Sequence, residues 1–317
     1  MAYNRILVTG ASGFLGRHVM PALAKAYPDR EIIGVSSKDA DLIRFDQTLD
    51  LLERVKPDAI VNLAAYSGGI GANRSWPADF YWRNINFVSN VFEAAARTGV
   101  KRVVYTMGGC SYPATATSPI GEDQMWAGYP QQDSAAYSTA KKMGIVAAEA
   151  YRTQHGIRST VLVPGNLFGE YDNFRNGESH VIPAFLRRFH EAKVARVAKV
   201  TCWGSGRATR DFCYAGDVGG AIPFFIDRDD IMGPVNLSQG ATMTIKELAE
   251  TTRDVVGLEA DIEWDTTKPE GQLHKIFDVD LMKSYGLECP TSLKDGLSRT
   301  YGWLSRNFAT AGDGLRL

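Results

Sequence analysis

The chain has 317 residues, 44% of them hydrophobic and 22% charged, with a formal net charge of -1. A chain of this length and composition forms a globular protein with one large or two small hydrophobic cores. A net charge near zero provides no field that attracts nucleic acid or anionic lipid, and no apolar run approaches the length of a membrane span, so the sequence predicts neither as a partner.

The chain opens on a pattern typical of a dinucleotide site. Residues 5–9 are a short apolar run of the kind found in buried parallel strands, Gly10, Gly13 and Gly16 follow, and an apolar helical stretch extends to about Tyr27. In such a unit Gly10 permits the tight turn, Gly13 lets the backbone approach a pyrophosphate, and Gly16 lets the helix lie close to the strand. The helix N-terminus then presents unpaired amides to a phosphate.

The end of the second strand bears on the choice of nicotinamide cofactor. The strand predicted at residues 31–35 is followed by Ser36, Ser37 and Lys38. An NAD site usually has an acid at this strand end, which holds the ribose 2′-hydroxyl. Here Asp39 comes slightly later, and Lys38 is placed to neutralise a 2′-phosphate. The pattern favours NADP over NAD, and the alternative is that Lys38 is a solvated loop lysine.

Three further elements lead to a second glycine-containing turn. A buried strand is predicted at residues 59–65, a long helix at 77–98 with Gly99 as its stop, and another strand at 102–106. The turn at residues 107–113 follows that strand. Because open α/β sheets bind ligands beyond the carboxyl ends of their strands, this turn is a candidate part of a binding site.

Tyr137 and Lys141 open the next predicted helix, which is rich in alanine and closed by Gly156. Positions i and i+4 lie on one face of a helix, so the phenol and the ammonium point into the same space. A nearby cation favours phenolate and lowers the pKa of a tyrosine, which suits a general acid. The alternative is a surface tyrosine and lysine that share a helix face.

The pattern of the chain changes after a strand predicted at residues 159–163. A polar loop at 171–180, a helix at about 181–193, a strand around 235–237 and a helix at 245–256 follow. We therefore predict an α/β protein with a Rossmann-type, doubly wound parallel sheet and a smaller α+β domain. The nucleotide-binding domain is predicted at 1–165, with part of 205–240 returning to it, and the substrate domain at 166–317.

The histidines and cysteines indicate neither a metal site nor a disulfide framework. The four cysteines, Cys110, Cys202, Cys213 and Cys289, are widely spread, and the chain has no C-x-x-C or His-Glu-x-x-His motif. No signal peptide is recognisable at Met1, so the expected location is the cytoplasm, with the cysteines as free thiols.

Short motifs spread over almost the whole chain carry a family resemblance. They are Gly69-Ile-Gly-Ala-Asn73, Pro77-Ala-Asp-Phe80, Cys110-Ser-Tyr-Pro113, Tyr137-x-x-x-Lys141, Asn166-Leu-Phe-Gly169, Asp172-Asn-Phe174, Ser179-His-Val-Ile-Pro-Ala184, Leu186-Arg-Arg-Phe-His-Glu191, Trp203-Gly-Ser-Gly206 and Lys268-Pro-Glu-Gly271. Together they resemble the GDP-L-fucose synthase family of extended short-chain dehydrogenase/reductases. Those enzymes epimerise GDP-4-keto-6-deoxy-D-mannose at C3 and C5 and then reduce C4 with NADPH. Colitose synthases share much of this pattern, so the resemblance leaves the sugar open.

The resemblance implies four catalytic residues. Tyr137 protonates the C4 oxygen during reduction, while Lys141 lowers the tyrosine pKa and holds the nicotinamide ribose. Cys110 and His180 form the acid/base pair of the epimerisations, because moving a proton from one face of a carbon next to a ketone to the other face needs two groups. A thiol and an imidazole both have reference pKa values near working pH.

The resemblance also implies the binding residues and the assembly. The cofactor-binding residues are Gly10, Ser12, Gly13, Phe14, Leu15, Gly16, Ser36, Lys38, Ala64, Tyr137, Lys141, Pro164, Asn166, Leu167 and His180. The substrate-binding residues are Asn166, Arg188, Trp203, Arg210 and Lys275; an arginine can bind a diphosphate through two parallel hydrogen bonds, and Trp203 can stack on a purine. Relatives form homodimers through a four-helix bundle, and the alanines of the helix that carries Tyr137 fit such a contact.

One departure from the family pattern lies in the turn before Tyr112. The family has a catalytic serine four residues before this tyrosine, and the chain has Gly108 there. The serine hydroxyl hydrogen-bonds the C4 oxygen of the substrate, and losing one such donor costs about 10²–10³-fold in rate in oxyanion holes. Ser111, Thr106 or a water held over the glycines are the candidate substitutes.

Other functions fit parts of the same pattern. A sugar-nucleotide 4-epimerase with permanently bound NAD, or a C4 reductase alone, would use Tyr137 and Lys141 equally well. A 4,6-dehydratase fits poorly, because it needs an Asp-Glu pair where Gly109 and Cys110 stand. A non-catalytic NAD(P)-binding sensor is suggested by Gly108, but it would have no need for Cys110 and the other catalytic side chains together.

Overall fold

A computed structural model describes residues 3–268 and 273–311 of the chain. Its strands, in chain order, are β1 Arg5–Thr9, β2 Glu31–Val35, β3 Ala59–Asn62, β4 Arg102–Thr106, β5 Arg158–Pro164, β6 Asn166–Phe168, β7 Lys199–Trp203, β8 Thr209–Arg210, β9 Phe212–Tyr214, β10 Gly233–Leu237, β11 Met243–Thr244, β12 Asp261–Asp265 and β13 His274–Lys275. Its helices are α1 Phe14–Ala26, α2 Phe45–Val55, α3 Ile70–Ser75, α4 Pro77–Thr98, α5 Ala135–His155, α6 Val181–Ala195, α7 Ala215–Ile226, α8 Ile245–Val256, α9 Asp280–Ser284 and α10 Leu293–Ala311.

Six parallel strands form the main sheet, in the order β2-β1-β3-β4-β5-β10. The order reverses between β1 and β3, and ligands of doubly wound sheets bind at such a switch point, beyond the carboxyl ends of the strands. Helix α1 packs against α7, and α4 packs against both α2 and α5. The predicted Rossmann-type fold class is confirmed.

Two hydrophobic clusters fill the interior of the molecule. The larger cluster joins the main sheet to its flanking helices. The smaller cluster lies among α6, α8 and α10, beside the short parallel pair formed by β7 and β12. Both predicted glycine stops match the structure: Gly99, with a φ of 77°, directly follows α4, and Gly156, with a φ of 70°, directly follows α5. The domain boundary at residue 165 stays a prediction.

Three predicted bounds were wrong. The strand predicted at residues 59–65 ends at Asn62. Beyond it, the Ala64 amide donates a hydrogen bond of 3.3 Å to the Thr9 hydroxyl oxygen. Helix α5 begins at Ala135 rather than Tyr137, since a short 3-10 turn at residues 132–134 leads directly into it. Helix α6 continues to Ala195, two residues beyond its predicted end.

Candidate active site

The glycine turn after β1 has the geometry of a dinucleotide cradle. Gly10 has a φ of +69°, in the left-handed region that favours glycine. A Cβ on Gly16 would lie 2.3 Å from the Gly10 oxygen and 2.6 Å from the Ala11 oxygen, so α1 approaches the strand more closely than any side chain permits. A Cβ on Gly13 would lie 3.1 Å from the Gly10 oxygen. The absence of side chains is therefore a requirement of the local packing.

The first turn of α1 has unpaired amides to offer to a phosphate. Helix α1 begins at Phe14, its N-cap residue Gly13 makes no side-chain capping bond, and its first turn contains no acidic residue. The positive end of the helix dipole is therefore uncompensated by a carboxylate. Ser12 and Leu15 flank this start, and Ala64, in the segment that follows β3, lies against Gly10. These residues fit a dinucleotide phosphate.

The end of β2 carries both signs of charge. The Ser36 amide and hydroxyl each donate a hydrogen bond of 2.8 Å to the Asp39 carboxylate, and these bonds lower the pKa of Asp39. The Lys38 amide in turn donates to the Ser36 hydroxyl at 3.3 Å, and the Lys38 side chain is exposed. The ionised Asp39 carboxylate therefore stands beside Lys38. The sequence argument for a 2′-phosphate noted Asp39 but did not predict its hydrogen bonds to Ser36.

Helix α5 places Tyr137 and Lys141 on the side that faces the second glycine-containing turn. The edge of the Phe80 ring packs against Tyr137, with ring centroids 6.1 Å apart at 84°. Lys141 is 2% exposed, and its Nζ lies 4.5 Å from the centroid of the Tyr105 ring. The Tyr105 hydroxyl donates to the Lys141 carbonyl oxygen at 3.0 Å. Both side chains are thus held by aromatic neighbours.

Burial decides the protonation of this pair, against the sequence-based expectation for the tyrosine. The pKa of Tyr137 is raised above 10, first by burial and second by electrostatic interaction with Cys110. Burial lowers the pKa of Lys141 to about 7, and the interaction with Cys110 opposes that shift. The phenolate stabilisation that we expected from Lys141 is outweighed, because desolvation disfavours charge on both groups. Tyr137 is accordingly held as a protonated donor.

Gly108 stands directly in front of Tyr137 and Cys110. A Cβ built on Gly108 would lie 3.3 Å from the Cys110 Sγ and 3.8 Å from the Tyr137 Oη. The position of the family serine therefore lies beside both the candidate acid of the reduction and one member of the candidate acid/base pair of the epimerisation. The backbone of Gly108, with φ -129° and ψ 147°, is in the extended region that any residue adopts.

Ser111 and Thr106, the two side chains suggested as substitutes for the missing serine, both hydrogen-bond to backbone carbonyl oxygens. Ser111 is fully buried, and its hydroxyl donates to the Ser138 carbonyl oxygen at 3.1 Å. The Thr106 hydroxyl donates to the Asn62 carbonyl oxygen at 3.3 Å. Neither hydroxyl is oriented towards Tyr137 by these bonds, so the suggestion that Ser111 or Thr106 replaces the serine loses its support.

The segment after β13 closes the turn from the other side. A Cβ on Gly109 would lie 2.3 Å from the Phe277 Cζ, so the ring occupies the space where a side chain would stand. Lys275 lies two residues before Phe277, and its pKa is lowered, mainly by burial. The electrostatic interaction with Cys110 opposes this shift, and the one with Arg210 adds to it. Lys275 and Arg210 are paired in register between β13 and β8. The structure thus places Lys275, a predicted substrate-binding residue, near the Cys110 thiol, and Arg210 beside Lys275.

His180 lies at the start of α6, as the residue that precedes its first turn. His180 is exposed, although desolvation by the surrounding protein lowers the pKa of its imidazole. No described residue hydrogen-bonds to the imidazole. The structure therefore places His180 on a defined helix end but shows no direct contact between His180 and Cys110 or Tyr137.

The remaining predicted binding residues are divided between the strand ends and the smaller cluster. Pro164 ends β5, and the Asn166 side chain donates to the Asp211 carbonyl oxygen at 2.8 Å, while Leu167 packs on the larger core. Beside the smaller cluster, Arg188 of α6 donates to the Thr201 carbonyl oxygen at 2.9 Å.

Trp203 and Arg210 form the outer part of this surface. Trp203 is 61% exposed at the end of β7, and the Lys268 Nζ lies 5.8 Å from its ring centroid. Arg210 donates to the carbonyl oxygen of its own neighbour Thr209 at 2.8 Å, and burial lowers its pKa. Residues 269–272, which include most of the Lys268-Pro-Glu-Gly271 motif, lie outside the described residues.

Sequence reasoning missed the residues that support the catalytic side chains. Phe80 lies in a motif that we had identified, but nothing in the motif indicates contact with Tyr137. Gly144 was missed as well, although a Cβ there would lie 2.1 Å from the Tyr105 ring that underlies Lys141. The only available signal was a glycine inside a predicted helix, which usually reflects close packing.

The described residues contain neither a metal site nor a helix that could cross a membrane. Within residues 3–268 and 273–311, no group of three or more His, Cys, Asp or Glu side chains is arranged to hold a metal ion. In the same part of the chain, none of the helices combines the length and the apolar character that crossing a membrane requires.

Comparison with known proteins adds to this geometry. The sequence profile of the NAD dependent epimerase/dehydratase family matches residues 6–237. The chain is 37% identical to "GDP-L-fucose synthase 1" of Arabidopsis thaliana over 303 residues, covering 96% of this chain and 94% of the relative. It is 30% identical to "GDP-L-colitose synthase" of Yersinia pseudotuberculosis, covering 93% and 96%.

A solved structure with a similar name has the same fold as this chain. The fold superposes with a TM-score of 0.88 on a GDP-L-fucose synthetase from Naegleria fowleri bound to NADP. The two chains are 25% identical, and the match covers 98% of this chain and 95% of the other. The similarity therefore extends over both hydrophobic clusters.

Proposed function

This chain belongs to the NAD dependent epimerase/dehydratase family and, within it, to the GDP-L-fucose synthases, and we propose that it is an NADPH-dependent epimerase/reductase of a GDP-4-keto-6-deoxy sugar. One observation carries the proposal. A Cβ built on Gly108 would lie 3.8 Å from the Tyr137 Oη and 3.3 Å from the Cys110 Sγ, so a proton donor for reduction and a thiol for epimerisation adjoin one point. A single bound ketone can reach both groups there.

The residues divide the chemistry between them. When bound, NADPH supplies the hydride that C4 receives. Tyr137, which burial keeps protonated, donates its proton to the C4 oxygen. Cys110 and His180 exchange protons at C3 and C5 from opposite faces of the sugar. Lys275 interacts electrostatically with the Cys110 thiol, and its ammonium group stabilises the negative charge that develops when the thiol gives up its proton.

A C4 reductase without epimerase activity is the second candidate. It is favoured by the exposed His180 imidazole, which no described residue orients by a hydrogen bond. A reductase needs Tyr137 and Lys141 but has no need for an acid/base pair at C3 and C5. The two functions differ in a single observable, which is exchange of protons with solvent at those carbons.

The decisive experiment is incubation with GDP-4-keto-6-deoxymannose and NADPH in deuterated water, with products identified by NMR. The proposal expects deuterium at C3 and C5 and a reduced C4. Reduction without deuterium supports the reductase. Tightly bound NAD in the purified protein, with net oxidation state unchanged, supports a 4-epimerase. Neither exchange nor reduction, with the cofactor bound, supports a non-catalytic sensor.

We expect NADPH to bind more tightly than NADH, and Lys38→Ala to remove most of the difference. A charged hydrogen bond contributes about 1.5–3 kcal/mol, so the NADPH affinity should fall about 10-fold or more while the NADH affinity stays constant. Fluorescence titration of both cofactors measures this. Asp39→Asn is the matched variant, because it removes the carboxylate bound to Ser36 and should strengthen NADPH binding. Equal wild-type affinities would contradict the prediction.

We expect the protein to be a homodimer that is formed through α4 and α5. Ala140 and Ala148 turned out to be buried within the chain, but the two packed helices expose Tyr81, Trp82 and Val146. Trp82 is 58% exposed, and such apolar side chains are typical of a contact surface. Light scattering at micromolar concentration should give a dimer mass, and Val146→Arg should give a monomer.

A matched variant tests whether that surface is the specific one. Val194, at the end of α6, is also exposed, and Val194→Arg adds the same charge outside α4 and α5. It should leave the mass unchanged. A wild-type monomer, or equal dissociation by both variants, would contradict the proposed interface.

We further propose that the protein acts in the cytoplasm. All four cysteines are free, and three of them are buried, as a reducing compartment allows. Cell fractionation with an antibody against the chain tests this location.

A further inference from the structure

A short helix from the nucleotide-binding half supports the loop that leads to His180. The Gly69 amide, directly before α3, donates to the Glu178 carbonyl oxygen at 2.7 Å. A Cβ on Gly69 would lie 2.8 Å from the Ser179 oxygen and 2.9 Å from the Glu178 oxygen. A Cβ on Gly71 would lie 2.9 Å from the Gly177 oxygen. All of these neighbours are backbone atoms, so the loop lies against a surface that only glycine can provide.

Close approach, rather than backbone conformation, explains these glycines. Gly69 has φ -63° and ψ 176°, which any residue adopts, and Gly71 is helical. Glycine inside a helix costs about 0.5–1 kcal/mol relative to alanine. The contact with Gly177 gives Gly71, the glycine inside the helix, a role that offsets this cost.

The same helix is fixed to the segment that precedes Tyr137. The Asn73 side-chain amide donates to the Gly68 and Gly69 oxygens at 2.9 and 3.0 Å, which holds the start of α3. Arg74 then forms two hydrogen bonds with Asp133, at 2.9 and 2.8 Å. Asp133 lies in the 3-10 turn that leads into α5. Helix α3 therefore contacts both the loop before His180 and the start of the catalytic helix.

The far side of the loop is anchored in the other half of the molecule. Phe174 is 1% exposed within the smaller cluster, and Arg187 of α6 donates to the Phe174 carbonyl oxygen at 3.1 Å. His180 follows this loop and precedes α6. The loop before His180 is thus held from both sides, by α3 and by α6, and the contact with Gly69 is the one that relates it to the segment before Tyr137.

We propose that Gly69 and Gly71 are positioning residues for His180, which hold residues 177–179 so that the imidazole reaches the sugar carbons opposite Cys110. The inference rests on the proposed function for its catalytic consequence. Misplacement of a catalytic group by about 1 Å costs up to 10²-fold in rate. A methyl group at either glycine forces residues 177–179 or α3 to shift, because it would lie 2.8–2.9 Å from carbonyl oxygens that belong to the backbone.

The test compares Gly69→Ala and Gly71→Ala with Gly220→Ala, whose added methyl group meets no atom within 4 Å. Deuterium incorporation at C3 and C5 should fall about 10²-fold in the two variants, whereas reduction of an already epimerised ketone should change less than about 3-fold. Gly220→Ala should match the wild type in both reactions. This split separates loss of positioning from loss of folded protein, which would lower both rates together.

A second measurement does not depend on the substrate. The His180 imidazole is titrated by NMR in the wild type and the variants, with His180→Ala used to assign its signal. Because surrounding protein lowers the His180 pKa below 6.5, displacement of the loop should raise it towards 6.5. Unchanged titration in Gly69→Ala and Gly71→Ala, or an equal loss of exchange and reduction, overturns the inference. A wild type without deuterium exchange overturns the proposed function instead, and the titration alone then decides whether these glycines position His180.

Discussion

Replacing Tyr137 by phenylalanine is expected to slow C4 reduction by about 10²–10⁴-fold, the range that general acid catalysis contributes. The ring should stay in place, because its contact is with the Phe80 ring, 6.1 Å away between centroids. Only the hydroxyl is lost, and with it the proton that the C4 oxygen receives. Deuterium incorporation at C3 and C5 should persist in this variant.

Cys110→Ser should have the opposite effect, with loss of epimerisation while reduction is retained. A serine hydroxyl has about the size of the thiol but a far higher pKa, so it should remove proton exchange at C3 and C5. Reduction of a ketone that has already been epimerised should proceed at close to the wild-type rate. NMR of the products follows both reactions in one sample. If each variant stopped both reactions, the two chemistries would share all their groups, and the assignment of separate roles would be wrong.

The protonation of Tyr137 predicts how reduction depends on pH. Burial raises the pKa of this phenol above 10, so the proton remains available throughout the neutral range. Burial also lowers the pKa of Lys141 to about 7, so its ammonium charge is lost as the pH rises through that value. A decline in reduction above pH 7 would therefore report on Lys141 rather than on Tyr137.

Local patterns in the sequence predicted the strand, the glycine turn and the helix of the candidate dinucleotide site. The apolar run before Gly10 and the spacing to Gly16 require no knowledge of distant residues, since the strand, the turn and the helix are adjacent in the chain. Helix α7 was not predicted, because Gly216, Gly219 and Pro223 all disfavour a helix. The structure explains one of these: a Cβ on Gly219 would lie 3.0 Å from His18, where α7 packs closely against α1.

Contacts between distant segments could not be predicted in the same way. Nothing near Gly109 in sequence indicates that the Phe277 ring occupies its side-chain space. The contact of Gly69 with residues 177–179 likewise joins segments that are more than a hundred residues apart. The motifs around these residues were recognisable, but their roles depend on tertiary packing and appear only when the two halves of the molecule are seen together.

The neighbouring glycines in the catalytic turn differ in what a side chain would meet. At Gly108 a Cβ would lie 3.8 Å from the Tyr137 Oη, an ordinary contact, and 3.3 Å from the Cys110 Sγ, the end of a side chain that can move. At Gly109 it would lie 2.3 Å from the buried Phe277 ring. Gly109→Ser should therefore destabilise the protein by about 1–3 kcal/mol, the usual cost of overpacking, and serves as the contrasting variant.

Gly108→Ser is expected to raise the rate of C4 reduction, by up to the 10²–10³-fold that one preorganised hydrogen-bond donor contributes. The backbone at Gly108 accepts a serine without strain, and the new hydroxyl would stand beside Tyr137, where Ser111 and Thr106 do not reach. Single-turnover reduction of an epimerised GDP-4-keto sugar measures the effect apart from epimerisation. A lower rate with unchanged stability would mean that the space over Gly108 is filled by the substrate itself. The sugar would then be bulkier at that point than a 4-keto-6-deoxymannose, and the assignment would move to a related GDP-sugar.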